Sequence, residues 1–296
     1  MPRPPYGPGR DERATGPGGA PAAGAPEPGL GTVPHRVVPH RPGGGDAPSD
    51  CRQRRSDGGK TLIRMATTIP SHTRIEPGIL YFGTPVVLIS TLNEDGSANL
   101  APMSSAFWLG WRAVLGLGAR SKTAQNLLRT REGVLNLPSD SLAAAVDRLA
   151  LTTGSDPVPP SKVKRGYRFV ADKFARAGLT PVASDTVGPP RVAECPVSME
   201  VVVEGVHDVA HDDEAQRGGI VAIEVRVQRV YVHDEIRMAS TADRIDPDAW
   251  RPLIMSFQKL YGLGPQVHPS TLARIPEHLY RGPDIERARE TPAMTG

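Results

Sequence analysis

The 296-residue chain holds only two cysteines, Cys51 and Cys195, so no disulfide framework is indicated and a cytoplasmic location is expected. Cys195 lies between Val192-Ala-Glu194 and Pro196, a setting for a buried structural thiol. No stretch approaches the ~18 uninterrupted apolar residues of a membrane-spanning helix. No apolar segment follows the early arginines, as a signal peptide requires, and no membrane partner is expected. A strong charge excess is missing too. Residues 1–64 carry 10 Lys+Arg against 6 Asp+Glu, while the rest carries 25 against 26. The sequence pI of about 9.0 therefore says little about the folding part, and no nucleic-acid partner is expected. Lysine itself is scarce, with 6 residues against 29 arginines, which fits codon bias in a GC-rich genome.

Obvious catalytic sets are lacking as well. No Ser-His-Asp or Cys-His arrangement and no pair of positioned carboxylates stands out. His207 and His211 have metal-like spacing but straddle a strand end and a polar loop, so no metal is expected. If the chain is an enzyme, a cofactor carries the chemistry.

Residues 1–64 contain 12 Pro and 13 Gly and almost no apolar clusters, which predicts a disordered Pro/Gly/Arg-rich tail. Its Arg52-Gln-Arg-Arg55 cluster reads as solvated. One hypothesis is that Met65 is the true start; tail peptides in a mass spectrum of the native protein would overturn it. Residues 65–270 then form one domain, and 271–296 a C-terminal extension.

What is present begins with Gly116-Leu-Gly-Ala-Arg-Ser-Lys-Thr123. An apolar strand ends in small residues, then two cations and two hydroxyls open a helix, Lys122–Arg131, with Leu127 and Leu128 on one face. Backbone N–H groups and the helix dipole favour an anion there, and Arg120, Ser121, Lys122 and Thr123 add charge and donors. A P-loop would have glycine where Ser121 stands, and no regular βα alternation surrounds it. Three readings stand: a phosphate seat of another kind, a plain N-cap with solvated cations, and an NTP site.

The rest of the chain reads mainly as strands. Thr84–Thr91 and Ser97–Met103 flank an Asp95-Gly96 turn, which predicts a hairpin. Ala113–Leu117 and Val134–Leu137 are short strands. Gly219–Val232 alternates, with Val221, Ile223, Val225 and Val227 on one face, and Val197–Val209 alternates in part. Helices are expected from Ser139 through Leu149, over Phe169–Ala177 and over about Pro247–Lys259, with a Pro-rich loop at 152–166. The pattern predicts a mainly β fold, an antiparallel β-barrel with helical decoration. Pro102 removes a ladder donor, so the strand Asn99-Leu-Ala-Pro-Met-Ser-Ser105 should leave its pairing there. Ser104 and Ser105 then either end a strand or form a lip that donates to a flat polar ring. Trp108 and Trp111 read as core or interface residues.

Taken in order, Pro85–Thr91, Asp95-Gly96, Asn99–Ser105, Ala119–Asn126, Val134–Pro138, Asp172–Thr180, Arg191–Pro196 and Tyr261–Gly264 resemble the flavin reductase-like, FMN-binding split-barrel family. The resemblance covers roughly residues 79–264. It implies an FMN-binding split barrel, a homodimer, and flavin held near the dimer interface. It implies that Ala119, Arg120, Ser121, Lys122, Thr123 and Asn126 hold the FMN phosphate, and that Pro102, Met103, Ser104 and Ser105 line the ring. NAD(P)H as electron donor, with an electron-acceptor protein or monooxygenase as partner, follows from the same likeness. One departure is visible. Many two-component flavin reductases carry Gly-Asp-His in a late strand; here that region reads Gly218-Gly-Ile-Val-Ala-Ile-Glu224. The chain is therefore similar to the flavoredoxin-like side, and a non-enzymatic FMN-binding electron carrier is the alternative function.

Overall fold

A computed structural model describes residues 71–239, 241 and 243–294. The expectations for the tail, Met65 and Cys51 lie outside the described residues. The chain runs β1 (Phe82–Pro85), β2 (Val87–Leu92), β3 (Ala98–Met103), β4 (Ala106–Leu109), β5 (Arg112–Gly118), α1 (Lys122–Thr130) and β6 (Glu132–Leu137). A 3₁₀ turn leads into α2 (Ala143–Asp147), followed by β7 (Thr152–Thr153), α3 (Pro160–Val163), β8 (Arg168–Phe169) and α4 (Lys173–Ala177). Then come β9 (Pro181–Val182), β10 (Arg191–Val192), the long strands β11 (Val197–Asp208) and β12 (Ile220–Val232), β13 (Leu253–Ser256), β14 (Lys259–Gly262) and α5 (Pro283–Glu290). No helix among the described residues is long and apolar enough to cross a membrane.

Seven strands form one antiparallel sheet in the order β3-β2-β6-β11-β12-β5-β4. Its two edges, β3 and β4, are consecutive in the chain and joined only by Ser104 and Ser105. Two residues span about 7–10 Å at most, so the sheet must curl until its edges nearly meet. The result is a mainly antiparallel split barrel, open between β3 and β4. The predicted alternation of β12 is borne out: Val221, Ile223, Val225 and Val227 are buried together inside with Val87, Ile89, Leu115 and Leu135. The outer face of β2 and β3 carries Leu88 and Leu100, which α2, the turn after it and α4 cover with Val146, Leu149, Phe174 and Ala177. Trp108 and Trp111 are half-buried against the interior cluster.

Several local expectations are corrected. Pro247–Lys259 is not a helix. Residues 253–262 form a hairpin around Phe257 and Gln258, whose φ of 44° and 65° suit a tight two-residue turn. Leu253 is buried and β13 pairs with β1, so packing and pairing override the helical spacing. Phe169 belongs to β8; the helix starts only after Asp172, whose Oδ1 accepts from the Ala175 N–H at 2.9 Å. The 152–166 loop contains β7 and the single-turn α3. In α1, Leu127 is buried but Leu128 is exposed, because neighbouring residues point about 100° apart on a helix.

One buried polar cluster ties the 183–192 loop to the barrel. Glu200 is fully buried on β11, and its carboxylate accepts from the Asp185 N–H, the Thr186 N–H and the Thr186 hydroxyl at 2.8, 2.7 and 2.6 Å. Arg191 lies 3.7 Å from it and stacks on Tyr231. Asn136 donates to the Leu88 carbonyl and Ser90, and accepts from the Val192 N–H and Ser198. Cys195 is buried as expected, and burial pushes its thiol pKa up.

Candidate functional site

Helix α1 starts two residues beyond the exposed Arg120, where β5 has already ended. Ser121 is extended and its Oγ accepts from the Ala124 N–H at 3.2 Å, which makes it the N-cap. A hydroxyl that accepts there still has its own proton to donate. The Ala119 and Ser121 N–H groups donate to the Gly219 and Gly118 carbonyls, whereas those of Lys122 and Thr123 have no acceptor within the helix. Lys122 Nζ lies 3.2 Å from Glu94 in the β2–β3 turn.

Behind this turn lies a second buried polar cluster. Thr123 is buried, and its Oγ1 accepts from Asn99 Nδ2 at 3.2 Å. Asn99 also donates to Thr91, its cross-strand neighbour, and its Oδ1 accepts from Lys173 Nζ at 3.1 Å. Asn126 is fully buried; its Nδ2 donates to Thr91 and Asn93, and its Oδ1 has no partner among the described residues. Next to it runs the loop after β7. A Cβ on Gly154 would stand 2.6 Å from Asn99 Oδ1 and 3.2 Å from Lys122 Cγ, so only glycine lets the loop approach this closely. Beside Gly154, Thr153 accepts from Lys162 Nζ at 2.9 Å, and the buried Ser155 Oγ has no partner among the described residues. Lys173 is 3% exposed, and burial, with the Lys162 charge second, brings its pKa down to about 8. Burial also lowers the pKa of Lys162, with Arg165 adding to the effect.

Pro102 and Met103 end β3 opposite Leu88 and Val87 and are half-buried. Ser104 and Ser105 leave the ladder, as the proline predicts. The Gly116 N–H donates to the Ser105 carbonyl at 2.8 Å, and a Cβ on Gly116 would lie 3.2 Å from Ser105 Cβ. Gly116 thus draws the lip against β5. Only Leu117 and Gly118 of β5 and a short turn separate Gly116 from the start of α1. The structure therefore brings both predicted segments to one end of the barrel. His207 is exposed on β11, 3.8 Å from Glu224, and His211 lies in the following loop.

Sequence reasoning gave Thr91, Asn99, Thr153, Lys162 and Lys173 no part in a site, although Thr91, Asn99 and Lys173 lie in stretches that carry the resemblance. The available signal was a lysine on the apolar side of α4, beside Phe174 and Ala177. The donor set fits an anionic group near Ser121 and Thr123, and the open Asn126 carbonyl suits a hydroxyl-bearing chain. A phosphorylated flavin has both.

The flavin reductase like domain matches residues 79–262, more than half of the chain. The chain belongs to that family. It is 38% identical over 193 residues to the uncharacterized protein YdfE of Bacillus subtilis, covering 65% of this chain and 90% of that relative. Its fold is similar to flavoredoxin of Desulfovibrio vulgaris, with a TM-score of 0.55 and 19% identity over 69% of this chain and 99% of that one. It is similar to nitrilotriacetate monooxygenase component B from Bacillus cereus, with a TM-score of 0.54 and 19% identity over 68% and 100%. In this flavin reductase-like chain the antiparallel sheet also leaves α1 without the parallel βα setting of an NTP-binding loop.

Proposed function

We propose that this chain is an FMN-dependent oxidoreductase with flavin reductase activity, passing a hydride from a nicotinamide to flavin and electrons onward. The observation that carries this reading is that Ser105 is hydrogen-bonded to Gly116 on β5, the strand that leads into the helix start, in a flavin reductase-like chain. Ala119, Arg120, Ser121, Lys122 and Thr123 hold the phosphate, through the backbone at the helix start, two hydroxyls and two cations. Asn126 accepts from a hydroxyl of the flavin side chain. Pro102, Met103, Ser104 and Ser105 line the ring, and the serines donate to its polar edge. When bound, the flavin supplies the hydride acceptor and the onward electron transfer. The chain's residues orient it against the donor and keep water out.

A homodimer belongs to this reading. Phe107 and Leu109 on the unpaired edge strand β4 are 53% and 70% exposed, and a second copy would cover them. The onward acceptor is a protein such as a monooxygenase; the Bacillus cereus protein of similar fold is a monooxygenase component.

A second reading, an FMN-binding electron carrier, is favoured by the segment Gly218–Glu224, which has no histidine for a nicotinamide. The visible spectrum of the purified protein tests both. A yellow protein bleached by anaerobic NADH or NADPH supports the reductase. A yellow protein that neither nucleotide bleaches supports the carrier. A colourless protein that takes up no added FMN defeats both.

A further inference from the structure

Lysine is the rare cation of this chain, six residues against 29 arginines, yet Lys122, Lys162 and Lys173 all meet around Asn99 and Gly154. They come from α1, α3 and α4, which are separated by up to 51 positions in sequence. Carboxylates do not balance them. Among the described residues Glu94 pairs with Lys122 at the exposed rim, and no ion pair reaches Lys162 or Lys173. Lys162 has a hydroxyl, Thr153, and the Tyr167 ring at 5.7 Å. Among the described residues Lys173 has one acceptor, Asn99 Oδ1. A buried ammonium with so few acceptors is costly unless an anion joins it. The buried hydroxyl oxygen of Ser155 beside them also has no partner among the described residues.

The Lys173 contact also has a directional consequence. An ammonium only donates, so it requires the Asn99 oxygen to face it. Asn99 Nδ2 must then face Thr123, whose oxygen accepts, so the Thr123 proton is left to donate outward. Through one amide, Lys173 sets the polarity of a hydroxyl at the start of α1.

We propose that Lys162 and Lys173 are the second arm of the anion seat, binding a phosphate-monoester dianion together with the α1 start. Lys162 supplies direct charge, and Lys173 is a positioning residue acting through Asn99 on Thr123. Lysine suits this place better than arginine, because a compact ammonium is a point charge that fits a small buried acceptor. The proposal rests on the FMN reading above.

The test is a fluorescence titration of the full-length, flavin-stripped protein with FMN and with riboflavin, which lacks the phosphate. Wild type should prefer FMN by at least tenfold. Lys162→Met and Lys173→Met should each reduce that preference by about tenfold, and inorganic phosphate should compete with FMN less well in both. Lys173→Arg should recover only part of the preference, because the larger guanidinium does not fit the buried place, and Lys164→Met, on the exposed side of the same segment, should keep all of it. Folded Lys162→Met and Lys173→Met proteins with the wild-type preference would overturn the lysine arm while leaving the phosphate seat standing. Equal wild-type affinity for FMN and riboflavin would overturn the phosphate reading itself. Should Lys173→Met not fold, Lys162→Met decides the proposal alone.

Discussion

Two of the barrel's buried polar clusters are built on opposite principles. Around Glu200, the charge is matched: three donors from residues 185–186 and the Arg191 guanidinium converge on one carboxylate. Around Asn99, charge is left over among the described residues: two lysines without carboxylates, an unpartnered Asn126 oxygen and an unpartnered Ser155 hydroxyl. A buried polar network stabilises a fold when every member is satisfied and is costly when it is not. The first cluster is therefore architecture, fastening the 183–192 loop. The second is held short of satisfaction, as a site for a ligand is.

The largest expected effect breaks the first cluster. Glu200→Ala strands three donors and a cation, and should destabilise the fold by about 3–5 kcal/mol in chemical denaturation. Its flavin affinity per folded molecule should stay at the wild-type value; a large loss of affinity would erase the distinction between the clusters.

The next concerns the leftover charge. Because the Lys173 pKa falls to about 8 in the folded state, the unfolded chain holds more protons between that pH and the usual lysine value near 10.4. The penalty is fully present below pH 8 and is relieved as pH rises toward 10.4, a change on the order of 3 kcal/mol. The stability difference between wild type and Lys173→Met, measured in urea at pH 7 and pH 10, should therefore shift in favour of wild type at the higher pH. A pH-independent difference would mean that Lys173 is not held as a desolvated amine.

Ser121→Ala combined with Thr123→Ala should weaken FMN by about 1–3 kcal/mol in a titration, as two hydroxyl donors are lost. The lost cap should also cost the fold about 1 kcal/mol. Unchanged affinity would move the phosphate elsewhere. The smallest effect is an absence of one: Cys195, buried in the satisfied region, should resist alkylation at pH 8 and react only in denaturant, as read by peptide mapping.

Much of this was legible in the sequence because it is local. The Asp95-Gly96 turn, the Ser121 cap and the alternation of β12 each follow from residues within a few positions. The helix expected at Pro247–Lys259 failed because its apolar residues answer to β1, about 170 positions away. The same limit applies at the site. Ser121 and Thr123 suggest a phosphate seat or a plain cap from their local spacing alone, and Pro102 announces the strand break before Ser104 and Ser105. Lys162, Lys173 and Asn99 carry no such mark, because each does something ordinary in its own element.

By itself, then, the sequence determined the β2–β3 hairpin, the cap, the strand break after Pro102 and the family, all of which depend on short-range spacing and chain order. Only the tertiary structure decided which polar cluster is closed and which is open. That depends on long-range partners, since the same buried polar side chain is structural when its charge is met and available to a ligand when it is not.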